Sequence, residues 1–119
     1  MELHNLTDTD NLNVVAFEKE TMDKLGLIPE IAPRYRATYF SHIIGGYAAG
    51  YYSYLWAEVL DTDAFEAFKE HGVFDKNTAD SFRKNILEKG GTEDPMTLYR
   101  GFRGADPSLE PLLKNRGLK

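Results

Sequence analysis

Apolar positions recur at helical spacing along most of the chain, and at strand spacing nowhere. Residues 14–25 (VVAFEKETMDKL) place Val14, Phe17, Met22 and Leu25 near one face, and Gly26 follows as a C-terminal cap. Pro29 and Pro33 mark a bend and a new helix start, because proline is tolerated in a first turn. From there RYRATYFSHII, dense in aromatic and apolar residues, runs to Gly45-Gly46. The longest expected helix spans Tyr47 to Glu70, with only Gly50 as a weak interruption, and Gly72 closes it. A further helix over 77–89 gathers Ala79, Phe82, Ile86 and Leu87 on one side and stops at Gly90-Gly91. Asp94-Pro95 and Asp106-Pro107 each read as an N-cap aspartate before a proline at the first helical position. They open two short helices, MTLYRGF and SLEPLLKNR, the second ending at Gly117. The expected fold is therefore all-α, with about five to six helices and no sheet. Residues 1–10 read as a flexible arm and residues 11–119 as the helical segment.

Composition narrows the class. The 119 residues are 42% hydrophobic and 28% charged, with a net charge of -5, which suits one compact water-soluble domain rather than a disordered chain. An acidic balance argues against nucleic acid, since neutralising phosphates needs a basic surface. No apolar run reaches the roughly 20 residues needed to span a bilayer, so no membrane partner is expected. MELHNLTDTDNLN has neither a basic n-region nor an apolar h-region. With no cysteine, disulfides and thiolate metal sites are excluded, and a reducing, cytoplasmic location fits.

The unusual segment is HIIGGYAAGYYSYLWAEVL, His42 to Leu60. On a continuous helix Tyr47, Tyr51 and Tyr54 would fall at i, i+4 and i+7, with Tyr52, Leu55 and Val59 as an adjacent, more apolar stripe. A buried phenol must find a hydrogen-bond partner, so such a stripe is either a core and interface feature or a set of donors aimed at something. Gly45-Gly46 can make a tight turn with positive φ, or let the backbone approach a ligand closely. His42 can be structural or functional, and His71 near a helix C-terminus is accounted for by the helix dipole. Glu58 and Asp61 read as a solvated or salt-bridged face. There is no H-E-x-x-H, no G-x-S-x-G elbow and no phosphate-binding Gly-Lys-Ser/Thr loop, and His4, His42 and His71 have no metal-ligand spacing.

Three stretches carry a resemblance. They are RYRATYFSHIIGGYAAGYYSYLWAEVLDTDAFEAF, the FR-x-x-IL-x-x-GG-x-x-DP-x-x-LY-x-x-FRG run from Phe82 to Gly104, and the closing EPLLKNRGL. Together they resemble the C-terminal part of the zinc oligopeptidases of the thimet oligopeptidase family, whose bacterial members include oligopeptidase A and peptidyl-dipeptidase. The latter is the preferred type on the look of the sequence. FEKETMDKLGLIPE is similar to the family's preceding helix, so the resemblance runs from about residue 10 onward. It implies hydrolysis of short peptides, with a zinc ion held on an H-E-x-x-H helix. By position in the motif, His42 corresponds to a histidine that contacts substrate near the scissile bond. Tyr47 and Tyr54 correspond to tyrosines that donate to the developing oxyanion, and Tyr51 to a neighbouring substrate-site tyrosine. Gly45-Gly46 becomes the flexible loop that brings Tyr47 over the substrate.

The chain departs from the family in lacking the zinc motif. It is expected to supply the substrate and oxyanion side of the site and none of the metal side, so zinc belongs to a parent enzyme and this chain holds no cofactor. Two explanations follow. The chain is a fragment of a longer peptidase, inactive alone, or a free-standing, non-catalytic helical protein that binds peptides or a partner. The fragment is preferred, because active-site residues without a metal serve no evident independent purpose. Removing the metal-bearing half would bare the tyrosines, so self-association is also expected. Arg34, Arg36, Arg100 and Arg103 are candidates for gripping a substrate carboxylate or for ordinary pairing, and none is assigned.

Overall fold

A computed structural model describes residues 1–119. It contains six α-helices and no strand, as the spacing of apolar residues predicts, and the chain divides into two compact units, Met1–Tyr52 and Ser53–Lys119.

In the first unit a turn of 3₁₀ helix, Glu2–Asn5, precedes α1 (Val14–Lys24). Asn13 caps α1, its side-chain oxygen accepting from the Ala16 N–H at 3.0 Å, and Gly26 ends it in the left-handed region at φ 68. The stretch after Pro33 does not continue as a helix. It runs through bends and turns to a single helical turn, α2 (Ser41–Ile44), and then to a 3₁₀ segment, Ala48–Tyr52. The expected helix start at Tyr47 is thus corrected to Ser53. Three glycines in six residues weaken helix formation there, Ala48 adopts φ 44, and Gly50 N–H donates to Tyr47 C=O three residues back at 2.6 Å. No side chain of this unit is fully buried.

The second unit holds the closed core. Its longest element, α3 (Ser53–His71), buries Val59, Ala64 and Ala67, with Thr62 and Asp63 beside them. The core is completed by Leu98 and Tyr99 of α5 (Pro95–Arg103) and Leu112 of α6 (Glu110–Asn115). Between these lie α4 (Lys76–Phe82) and a π-helical turn, Arg83–Leu87, closed by Glu88 N–H donating to Arg83 C=O five residues back. Phe82 and Ile86 are half-buried while Ala79, in α4, and Leu87, at the end of the wide turn, are exposed, correcting the expected four-residue face. Gly101 lets α5 pass close to this turn, where a Cβ would stand 3.2 Å from the Asn85 side-chain oxygen. Phe68, Phe82 and Phe102 pack with ring centroids 5.1–6.3 Å apart.

Asp94 caps α5 through the Thr97 N–H at 2.8 Å, with Pro95 in the first turn, as expected. Asp106 does not repeat this. Its carboxylate accepts from Arg100 Nε at 2.5 Å, and α6 begins only at Glu110, with Pro111 in its first turn. Gly117 ends α6 at φ 66, its N–H donating to Lys114 C=O and that of Leu118 to Leu113 C=O, a Schellman closure.

Candidate functional site

Short elements around a histidine build the site in the first unit. His42 lies on α2, and the turn through Gly45-Gly46 returns the chain so that Tyr47 and Tyr51 reach the same imidazole. Their ring centroids lie 5.2 and 5.1 Å from it, and 6.3 Å from each other. Tyr51 lies in the 3₁₀ segment, four residues beyond Tyr47. Phe40 sits edge-on to Tyr51 at 4.7 Å and 5.8 Å from His42, and Tyr35 stacks on Phe40 at 5.0 Å. The result is five rings in mutual contact, half-buried or exposed, with Tyr47 40% accessible. Edge-to-face geometry of this kind fixes ring positions beyond what apolar burial does.

Of the six residues singled out in the sequence, the structure brings His42, Tyr47 and Tyr51 together. Gly45 and Gly46 form the intervening turn, and Tyr54 lies in the first turn of α3 in the second unit, half exposed. Neither glycine of the pair uses a positive φ, and the left-handed residue is Ala48. A Cβ on Gly46 would meet nothing within 4 Å, and one on Gly45 only an ordinary contact with Ser41 C=O. Packing therefore leaves room for a side chain at both positions, while Gly45 holds φ -98 and ψ -147, outside the α and β regions.

Tyr35 and Phe40 escape a motif reading, although the aromatic density of RYRATYF is their signal. The four arginines left unassigned all have partners. Arg36 Nε meets the Glu18 carboxylate at 2.6 Å, Arg100 pairs with Asp106, and Arg34 stands 5.5 Å from the Tyr35 ring centre. Arg103 takes Glu70 bidentately at 2.7 and 2.9 Å and lies 3.5 Å from Asp63. Glu58 pairs with Arg116, which agrees with a salt-bridged α3 face.

Asp63 and Tyr99 form a buried polar pair that sequence spacing does not reveal. They are 36 positions apart, and the Tyr99 hydroxyl donates to the Asp63 carboxylate at 2.5 Å. Burial first, and this hydrogen bond second, push the Tyr99 phenol well above the ordinary tyrosine range. In the opposite sense the Arg103 guanidinium holds the Glu70 carboxyl below its usual value.

No group of three or more His, Asp, Glu or Cys side chains is arranged to hold a metal ion. The donors present do not fit a zinc site. No helix is long and apolar enough to cross a membrane.

The chain is 57% identical over 81 residues to oligopeptidase A of Escherichia coli (strain K12), covering 67% of this chain and 12% of that one. It is 43% identical over 118 residues to oligopeptidase A of Haemophilus influenzae, covering 98% of this chain and 17% of the relative. With the dipeptidyl carboxypeptidase of Escherichia coli it shares 44% identity over 114 residues, covering 95% and 16%. The chain thus spans between 12% and 17% of the length of these curated relatives. The profile described as peptidase family M3 matches residues 1–118, and the chain belongs to that family.

Proposed function

We propose that this chain supplies the substrate-binding and oxyanion-stabilising side of a zinc-dependent family M3 oligopeptidase acting on short peptides. In this reading Tyr47 and Tyr54 donate their phenol O–H groups to the carbonyl oxygen as it gains charge during attack on the scissile bond. His42 and Tyr51 contact the peptide beside it, and the Gly45-Gly46 backbone lies against the substrate chain. A neutral donor placed where charge develops stabilises the transition state more than the bound peptide, so its contribution falls on turnover. The observation that carries the reading is the convergence of Tyr47 and Tyr51 on the His42 imidazole at 5.2 and 5.1 Å. Gly46 adds support, since a Cβ there would meet nothing within the chain and its absence lets a substrate backbone approach closely.

In this reading the nucleophile is activated by groups outside these residues. The chain alone is therefore inactive in this reading, and the complete enzyme is cytoplasmic. The isolated chain, with Tyr39, Ile44, Tyr52, Leu55 and Trp56 exposed, associates with copies of itself.

The test is Tyr54→Phe and Tyr47→Phe in a full-length family M3 peptidase carrying this segment, read with an internally quenched peptide. Each change lowers kcat by about 10²-fold while KM moves far less. A Tyr54→Phe enzyme within about two-fold of the parent kcat makes that tyrosine structural and overturns its assignment.

A further inference from the structure

A cavity of about 600 Å³ opens in the first unit beside the ring cluster. Phe17 and Met22 of α1, with Leu25 just beyond its end, form one wall, Leu3 contributes from the N-terminal turn, and Phe40 and Tyr51 close the side toward His42. The last two are shared, since both rings line the cavity and both stand within 6 Å of the His42 imidazole. The volume falls within the roughly 300–1,000 Å³ range of ligand clefts, and about 150 Å³ of apolar cavity already suffices for benzene.

Two polar residues of the wall, Glu18 and Thr21, are already engaged, and the charged residues Glu2 and Arg34 also line it. Glu18 receives Arg36 Nε on one carboxylate oxygen at 2.6 Å and the Ala37 N–H on the other at 3.4 Å. The Thr21 hydroxyl donates to Phe17 C=O at 2.9 Å. A polar or charged group entering the cavity would surrender its water and gain no free partner from these two residues, which is costly. An apolar group faces no such penalty and gains burial against Phe17, Met22 and Leu25.

We infer that this cavity is a specificity pocket for an aromatic or branched aliphatic side chain of a peptide bound at His42 and Tyr51. The inference rests on the peptide-binding reading above and names the side-chain class that reading leaves open. Phe17, Met22 and Leu25 determine selectivity, and the shared Phe40 and Tyr51 rings join the pocket to the peptide site.

The chain contains three methionines and three histidines, which give separate reporters. The 119-residue chain, labelled at its methionine methyls, is titrated with acetyl-Ala-Phe-Ala-amide, acetyl-Ala-Ala-Ala-amide and acetyl-Ala-Glu-Ala-amide. His42 ring signals report peptide at the proposed site, the Met22 methyl reports the cavity, and Met96, on α5 in the second unit, is the control. All three peptides shift His42, only the phenylalanine peptide shifts Met22, and it binds at least about 10-fold tighter than the alanine peptide. Met22→Glu removes that advantage.

If His42 moves while Met22 responds to every peptide alike or to none, the pocket inference fails and the peptide site stands. If Met22 moves without His42, the cavity takes apolar groups independently of the peptide site, and the inference also fails. Silence of both signals overturns both readings. The methyl shifts on the unaltered chain decide the matter even if Met22→Glu does not fold.

Discussion

Replacing Asp63 by Ala tests what holds the second unit together. Asp63 is 4% exposed and accepts the Tyr99 hydroxyl at 2.5 Å, with Arg103 Nε at 3.5 Å. A hydrogen bond to a charged group contributes about 1.5–3 kcal/mol. After the change Tyr99 retains only Leu60 C=O at 3.5 Å, at the edge of hydrogen-bonding distance, so its hydroxyl is close to stranded. Removing one partner of a fully buried ion pair costs about 3–5 kcal/mol, but Arg103 keeps its bidentate contact with Glu70 and does not become an unpaired charge. The expected loss is therefore about 2–3 kcal/mol, or roughly 10–20 °C in Tm for a domain of this size. Asp63→Asn keeps an acceptor and loses about 1 kcal/mol. Trp56, the only tryptophan, lies on α3 and reports urea unfolding of this unit by fluorescence. The double variant Asp63→Ala/Tyr99→Phe, in which no hydroxyl is stranded, loses less than the sum of the single changes. A loss below about 0.5 kcal/mol for Asp63→Ala, or additivity within that margin, refutes the pairing as a stabilising element.

Two further outcomes follow. The Tyr99 phenol is held neutral in the folded chain beyond its unfolded value near 10, so above that pH the folded state binds the extra proton and stability falls as pH rises, a decline that Tyr99→Phe makes shallower. Light scattering of the isolated chain over a range of concentrations gives a mass that rises above the 13.5 kDa monomer, and a constant monomer mass refutes self-association.

The parts of the fold legible in the sequence are those set by local chemistry. Asn13, Asp94, Gly26 and Gly117 mark helix ends because a cap needs only its own neighbours. Asp106 shows where that logic stops. It has the same Asp-Pro dipeptide as Asp94, but Arg100 lies one short loop away and takes its carboxylate. The start of α3 was obscured for a related reason. A tyrosine spacing of four and three suggests a continuous α-helix, yet Ala48 at φ 44 and the i to i+3 bond at Gly50 reset the phase before Ser53. Asp63 and Tyr99 meet only through packing of α3 against α5, and no periodicity in either segment announces it.

The site is legible to the extent that it is contiguous. His42, Gly45, Gly46, Tyr47 and Tyr51 fall within ten residues, so one motif contains them. Tyr35 and Phe40 join them only because α2 is a single turn and the chain doubles back. The physical character of the first unit follows from the same fact. With no fully buried side chain, it is held by ring edges, the Arg36–Glu18 pair and the Asn13 cap rather than by a closed core. Segments with few buried apolar contacts open at the lowest free energy, and ligand-binding loops are drawn from that class. The second unit, with α3, α5 and α6 closed over Val59, Leu98 and Leu112, has the opposite character. A ring cluster that is positioned but not locked can shift without first breaking a core, which is the mechanical requirement of the donor role proposed for Tyr47.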